Sequence, residues 1–266
     1  MDSVKLYFKY LKLSIESQLQ YKAAFVMISI GHFLMTFVDF LGLWVLFERF
    51  GNINGFTFEE AALFYGMVHI AFAITESWTR GFDTFPNLVR TGEFDRILLR
   101  PRTTVLQVLG HDIHLMRIGR FSQGLIVLVW AVCKLNIKWS LGKVLLLIGA
   151  IIGGNFLFSG FIVLQATLSF WSVQSLEIIN SFTHGGVQAS QYPLSIYRKW
   201  FRKILIYIIP LATINYFPAI NILENNDLLN YPNWIGWISP FVGLLFFILS
   251  LFAWRIGVKH YTSTGS

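Results

Sequence analysis

Charged residues are scarce in this chain of 266 residues, where Asp, Glu, Lys and Arg make up 13%, about half the share usual in soluble domains. Hydrophobic residues make up 55%, and mean hydropathy is +0.59. A single soluble domain has no place for several uncharged runs of about 20 residues, the length that crosses a bilayer. The runs are continuous and do not alternate, so they predict helices and not a β-barrel. The predicted fold class is all-α, a polytopic membrane protein.

Cysteine and nucleotide-binding motifs are also lacking. A single cysteine, Cys133, excludes an intrachain disulfide and a cysteine metal cluster. The one Gly-Lys pair, Gly142-Lys143, has no glycine five residues earlier and is followed by Val144, so it is not a phosphate loop. HExxH and GxSxG motifs are missing. These absences argue against an enzyme and predict no cofactor and no metal in this chain.

The apolar runs divide the chain into an N-terminal helix and a transmembrane domain. Residues 1–22 contain an amphipathic helix, with apolar residues on one face and lysines on the other, which is expected to lie in the membrane interface. Residues 23–266 are predicted to form one transmembrane domain. Its six predicted spans are residues 23–47, 61–78, 113–135, 141–171, 204–223 and 235–254.

The distribution of lysine and arginine indicates an orientation. With these six spans, 17 of the 21 Lys and Arg residues fall on the side of both termini, including the group at residues 198–203, and 4 fall on the other side. Because cytoplasmic loops carry the excess of Lys and Arg, both termini are expected in the cytoplasm, with the protein in the cell (plasma) membrane. The net charge of +7 is then explained without a nucleic-acid partner.

The first two predicted spans contain four acidic or histidine residues: His32, Asp39, His69 and Glu76. Within each span the two residues are seven apart and therefore share a helix face. Ionisable groups inside a membrane are costly, which makes them candidates for a substrate pathway or a proton relay. The alternative is structural: contacts such as Asp39 with His69 join two helices, or Glu76 lies near the interface.

Two prolines, Pro210 and Pro218, fall inside the fifth predicted span. Each removes a backbone hydrogen bond from a helix. In lipid such a break requires protein or water to satisfy the freed groups. One interpretation is a broken helix that acts as a gate and is followed by partly inserted pieces. The other is a simple kink followed by an ordinary loop.

A short charged segment at residues 90–102 joins the second and third predicted spans. Its centre consists of Gly92, Glu93, Phe94, Asp95, Arg96, Ile97, Leu98, Leu99, Arg100 and Pro101. Acidic residues at the start, Arg100 near the end and Pro101 after it predict a short helix. Phe94, Ile97 and Leu98 share one face, so this helix is expected to present an apolar stripe with charged flanks. The residues alone allow docking onto a protein or contact with lipid head groups.

Two stretches carry a family resemblance: EFDRILLRP at residues 93–101 and YPLSIYRKWFRKILIYIIPLATINYFPA at residues 192–219. Together with the N-terminal helix and the six spans, they resemble the type-2 ABC exporter permeases, and in particular a bacterial subfamily with the loop sequence ELDRLLLRP. The resemblance covers essentially the whole chain. Phe94 and Ile97 stand where that subfamily has leucines, which leaves the apolar face intact.

The resemblance implies a permease subunit that forms a substrate pathway with a second permease, either the same or a related chain. It also implies two copies of a separate ATPase subunit, which binds ATP and Mg. Residues 92–101 would then be the coupling helix that sits in a groove of that ATPase. Two other classes stay open: an integral-membrane enzyme that acts on lipid, and a channel or immunity protein that works without a motor.

Overall fold

The computed structural model describes residues 3–172, 176–224 and 231–263, with side chains from residue 5 onward and from residue 181 onward after the first gap. Residues 1 and 2 of the predicted interfacial helix and residues 264–266 of the predicted transmembrane domain lie outside the described residues. The described part of the chain is helical and has no β-strand. Five helices are long and apolar enough to span a membrane, or six when one bent pair is included. This confirms the all-α polytopic membrane fold.

The first half of the chain contains nine helices in the described residues. They are α1 (Ser3–Gln20), α2 (Lys22–Phe50), α3 (Phe58–Trp78), α4 (Arg80–Asp83), α5 (Phe85–Arg90), α6 (Glu93–Leu98), α7 (Thr104–Leu109), α8 (Ile118–Lys134) and α9 (Leu141–Leu168). A 3-10 turn precedes α8.

The second half contains shorter helices and one long one in the described residues. They are α10 (Leu176–Ser190), α11 (Lys199–Lys203), α12 (Leu211–Ile214), α13 (Tyr216–Leu223), α14 (Trp234–Trp237) and α15 (Ser239–His260). A π-helical turn, Ile204–Ile208, continues α11.

Local chemistry explains where the spanning helices begin and end. The second spanning helix begins at Phe58 and not at residue 61, because Thr57 and Glu60 form a capping box that satisfies the first backbone N–H groups. The third spanning segment begins at Leu115, with a 3-10 turn that leads into α8. The fourth ends at Leu168, and the last begins at Ser239 and extends to His260.

Close packing of α9 against α15 establishes the direction of the last span. Gly153 lies against Ser239, and Gly160 lies against Phe246. Nearer the ends of both helices, Gly257 lies against Thr167. Since both sequences advance together, α9 and α15 are parallel. We call the side where α2 joins α3 the loop side, and the side where α9 and α15 end the terminal side. Both α9 and α15 run from the loop side to the terminal side.

Two parallel spans require one crossing between them, and α10 makes it. The ring centroids of Phe72 in α3 and His184 in α10 are 5.4 Å apart. Farther along, His69 Nε2 lies 3.5 Å from Gln191 Oε1, just beyond α10. Because α10 advances while α3 recedes, the two helices are antiparallel. α10 therefore runs from the terminal side towards the loop side, and residues from the stretch after it, 192–197, line a cavity with the end of α2.

The segment 199–223 has both ends on the loop side. At its start, Lys199 lines a cavity with Tyr231, which precedes α15. At its end, Glu224 Oε1 lies 2.8 Å from Lys143 Nζ at the start of α9. Between these ends the helices bend by 72° at residues 209–210. The contacts at both ends favour a re-entrant pair over the predicted fifth span at residues 204–223, and α10 together with the residues after it then makes the crossing.

With this path of the chain, four cations that were predicted on the terminal side lie on the loop side: Arg198, Lys199, Arg202 and Lys203. The division of Lys and Arg between the two sides changes from 17 and 4 to 13 and 8. The excess still lies on the terminal side, so the positive-inside rule favours the same orientation of the termini.

Candidate coupling surface and charged cluster

The charged segment at residues 92–101 forms a short helix on the terminal side. Gly92 has a φ of +71°, a conformation that favours glycine, and it turns the chain from α5 into α6. Glu93 and Asp95 lie in the first turn of α6, where the positive end of the helix dipole favours acids. The helix ends at Leu98, three residues before Pro101. The predicted short helix is therefore present, with Gly92 at its N-cap position.

Phe94 anchors this helix to the transmembrane domain. Its side chain is fully buried. The ring centroid lies 4.9 Å from that of Tyr261 and 5.6 Å from that of Phe170, the residues that follow α15 and α9 closely. Trp254 of α15 completes this aromatic cluster, and its indole nitrogen donates to Thr104 Oγ1 at 3.1 Å. The segment 92–101 is thus packed on the terminal-side ends of α9 and α15.

The exposed surface of this segment differs from the predicted stripe. Phe94 and Ile97 are buried against the protein's own core, because they meet the aromatic and aliphatic side chains of a terminal-side cluster. Of the predicted stripe only Leu98 is exposed, at 41%, and Leu99 beside it is 86% exposed. The face that is open to a partner, called here the coupling surface, consists of Glu93, Arg96, Leu98, Leu99, Arg100 and Pro101.

Polar contacts fix the position of the segment 92–101. The Gln107 side-chain amide donates to the carbonyl oxygens of Ile97 and Arg102, at 3.1 and 3.0 Å. The Ser263 hydroxyl donates to Asp95 Oδ2 at 2.6 Å. Burial and the nearby Asp95 carboxylate raise the pKa of Tyr261 to about 12. Motion of α6 is therefore tied to α7 and to the end of α15.

Glu76 is the centre of a buried charged cluster at the terminal-side end of α3. Its carboxylate accepts a hydrogen bond from Arg120 Nη1 at 2.7 Å and lies 3.2 Å from Arg117 Nη2. The Glu76 side chain is 8% exposed, and each arginine is 16% exposed. Buried charges persist only when they are paired. This cluster therefore locks α3 to the start of α8.

Sequence analysis counted Arg117 and Arg120 only as loop charges. A sequence pattern could have identified these two arginines. They lie three residues apart at the start of an apolar helix, and Glu76 lies near the end of another predicted span. Arg117 also extends the cluster to α2, because its Nη1 lies 3.2 Å from His32 Nδ1. Glu76 is consequently a buried ion-pair partner near the end of α3.

A small polar cavity adjoins the charged cluster. Its volume is about 10 Å³, enough for about one water molecule. It is lined by polar residues from α3, α4, α9 and α10, and by two apolar residues: Glu76, Thr79, Arg80, Asp83, Gln165, Thr183, His184, Phe72 and Ile162. Arg80 pairs with Asp83 within α4. The cavity thus lies where the loop after α3 begins, and it is lined by spans from both halves of the chain.

The remaining intramembrane residues do not form the predicted pair. His69 stacks on Tyr65, with ring centroids 3.9 Å apart, and its Nε2 lies 3.5 Å from Gln191. Asp39 is half-buried on α2. No hydrogen bond or ion pair within the described residues joins Asp39 to His69. His69 therefore connects α3 to the end of α10, whereas His32 and Glu76 belong to the charged cluster.

The two prolines have different positions in the re-entrant pair. Pro210 lies at the break between the π-helical turn and α12, where the 72° bend occurs. Pro218 lies in the first turn of α13, where its missing N–H costs no hydrogen bond. Asn215 stabilises the junction between them, because its side-chain nitrogen donates to the carbonyls of Phe64 and Ser190. Only Pro210 breaks the helix.

Comparison with known proteins identifies the family. No curated protein and no solved structure matches the chain significantly. A family model described as "ABC-2 family transporter protein" matches residues 33–265, nearly the whole chain. This range includes most of α2, the other spanning helices, the Glu76–Arg117–Arg120 ion pairs and the coupling surface. The chain belongs to the ABC-2 transporter family and is a multi-pass membrane transporter protein.

Proposed function

We propose that this chain is the permease subunit of an ABC exporter and that its coupling surface docks onto a separate ATPase subunit. The observation that carries the proposal is the division of residues 92–101 into two faces. Phe94 and Ile97 are buried against the ends of α9 and α15, while Leu98, Leu99 and Arg100 are exposed. A segment with one face packed on the protein and the other face, of mixed apolar and charged residues, open to solvent is suited to receiving a push from a partner.

The aromatic cluster is the first step in the transmission of force. A displacement of α6 moves Phe94, whose ring contacts Phe170 after α9 and Trp254 in α15. Packed interiors are dense and transmit strain instead of absorbing it. The parallel helices α9 and α15, packed through glycines such as Gly153, then move together.

The charged cluster is the second step. The coupling loop leaves α3 after Trp78 and enters α8 at Ile118, and Glu76 with Arg120 clamps these two helix ends together. A push on the loop therefore moves α3 and α8 as a unit. His32 and His184, which lie beside this cluster, extend the movement to α2 and α10. In this account the intramembrane ionisable residues transmit movement and do not contact the cargo.

We expect the rest of the assembly to be that of a type-2 ABC exporter. A second permease, the same or a related chain, completes the substrate pathway, and two ATPase subunits bind ATP and Mg. Both termini and the coupling surface lie in the cytoplasm, in agreement with the excess of Lys and Arg on the terminal side. The bent pair at Pro210 closes the pathway on the loop side.

Co-expression with a candidate ABC ATPase, one that carries a phosphate loop and an LSGGQ-like signature, tests the proposal. We expect the ATPase to co-purify with the wild-type chain and the purified chain alone to hydrolyse no ATP. Arg100→Glu reverses a charge on the coupling surface and is expected to reduce the co-purified ATPase several-fold. Lys138→Glu, the same change on the loop side, is the matched control and is expected to have no effect.

Three outcomes would contradict the proposal. Equal recovery of the ATPase with Arg100→Glu and Lys138→Glu would remove the coupling surface from the interface. Turnover of a lipid by the purified chain without any ATPase would favour an integral-membrane enzyme. Ion or solute flux without ATP would favour a channel or an immunity protein.

A further inference from the structure

Three cations line one cavity on the loop side. Lys199, Arg202 and Lys203 surround a space of about 230 Å³ together with Ile206 and Tyr231. The spacing of the three, at one helical turn, places them on one face of α11. No carboxylate lines this cavity within the described residues. The cavity is therefore a concentration of positive charge on the side of the protein that has fewer cations.

These cations lack counter-ions within residues 3–172, 176–224 and 231–263. No Asp or Glu in those ranges lies within 4.0 Å of any of the three, whereas Lys143 on the same side pairs with Glu224 at 2.8 Å. Arg202 Nε is buried and has no hydrogen-bond acceptor there. A buried donor without an acceptor costs free energy, which a bound anion would recover.

Apolar side chains around the cavity indicate where it lies relative to the membrane. Trp200, Tyr207 and Ile208 are 62%, 70% and 69% exposed on the same short segment. Tryptophan and tyrosine are typical of the interface between lipid and water. Basic residues flanked by exposed aromatics are the pattern of a segment that lies at the level of lipid head groups.

A larger apolar cavity begins two residues away. It measures about 620 Å³ and is lined by the end of α2, the turn after it and the stretch before α11: Leu46, Phe50, Asn52, Ile53, Asn54, Tyr192, Ile196 and Tyr197. Tyr197 and Lys199 connect the apolar cavity to the basic one along the chain. A ligand with an anionic head and an apolar chain fits this pair of cavities, because each part meets surface of matching chemistry.

We propose that Lys199, Arg202 and Lys203 bind the anionic phosphate group of a phospholipid on the loop side, with an acyl chain in the neighbouring apolar cavity. The guanidinium of Arg202 supplies several donors in a planar arrangement that suits phosphate, and the two lysines supply point charges. The occupant is a lipid of the membrane itself. This proposal does not depend on the ATPase, because it concerns the chain alone.

Native mass spectrometry of the full-length chain in detergent tests the site. Phosphatidylglycerol is expected to bind more tightly than phosphatidylcholine. In the variant Lys199→Gln/Arg202→Gln/Lys203→Gln, binding of phosphatidylglycerol is expected to fall about tenfold or more, because charged hydrogen bonds are lost. The control variant Lys134→Gln/Lys138→Gln removes two exposed cations from the same side and is expected to bind as the wild type does.

Each remaining outcome decides the proposal. Equal binding of phosphatidylglycerol by the triple variant would overturn it. Inorganic phosphate that competes with phosphatidylglycerol at equal concentration would show a site for a free anion and overturn the lipid assignment. If the triple variant fails to fold, Arg202→Gln alone is measured, and an affinity for phosphatidylglycerol equal to that of the wild type would overturn the proposal.

Discussion

The ring of Phe94 lies 4.9 Å from the ring of Tyr261, at an interplanar angle of 84°. One belongs to the charged loop between the second and third spans, and the other follows the last span. Edge-to-face aromatic pairs of this kind add about 0.5–1.5 kcal/mol beyond the burial of their area. This contact joins the surface proposed to receive the push to the helices that must move.

The first prediction concerns Phe94→Ala. Removing a fully buried phenylalanine costs about 3–5 kcal/mol, so the melting temperature of the purified chain is expected to fall. ATP-driven export is expected to fall as well, because α6 loses its anchor. Leu99→Ala, at a residue 86% exposed, is the control for stability. A melting temperature for Phe94→Ala equal to that of Leu99→Ala would contradict the anchoring role.

The second prediction concerns Glu76→Gln. This change leaves Arg117 and Arg120 as buried cations without their carboxylate, and loss of one partner from a buried ion pair costs about 3–5 kcal/mol. We expect a lower melting temperature and loss of export. Glu48→Gln, at an exposed glutamate on the loop-side end of α2, is the matched control. Normal stability and export with Glu76→Gln would show that the cluster neither locks the helices nor transmits movement.

The third prediction concerns the contact between α9 and α15. A Cβ added at Gly243 would lie 2.0 Å from the carbonyl oxygen of Gly153, so the helices must separate. Overpacking of this kind costs about 1–3 kcal/mol. Gly149→Ala is the control, because its Cβ would meet Pro240 at an ordinary 3.6 Å. Thermal unfolding of the two variants distinguishes them, and equal melting temperatures would argue against this close packing.

The fourth prediction concerns the path of the chain. In a Cys133→Ser background, Arg198→Cys is expected to react with a membrane-impermeant maleimide from the same side as Lys138→Cys. Lys259→Cys, at the end of α15, is expected to react from the opposite side. If Arg198→Cys instead reacts together with Lys259→Cys, then the segment 204–223 is a span and α10 is not.

The sequence was sufficient for the long spans, because a run of apolar residues without charge has one stable arrangement in lipid. It was insufficient for α10. This helix contains Glu177, Asn180 and His184, and because of this polarity it was not predicted as a crossing. The fifth predicted span was placed on the more apolar segment at residues 204–223, which in the structure bends at Pro210 and returns to its own side.

The same limit applies to the candidate site. The segment 92–101 was located by its charge pattern and its proline, and its short helix was predicted. Periodicity places Phe94, Ile97 and Leu98 on one face, but it does not say whether the partner of that face is another protein or the chain's own C-terminal aromatics. Trp254 and Tyr261 are more than 150 residues away along the chain, and only the tertiary structure brings them to Phe94.

Photo-crosslinking from Leu99 tests the central claim most directly. A benzoylphenylalanine placed at Leu99, in the centre of the coupling surface, is expected to crosslink to the ATPase subunit in the assembled complex. The same probe at Leu141, a leucine 77% exposed on the loop side, is expected to give no such product. A complex that retains ATP-driven export but yields no crosslink from Leu99, or equal crosslinks from both positions, would contradict the assignment of this surface.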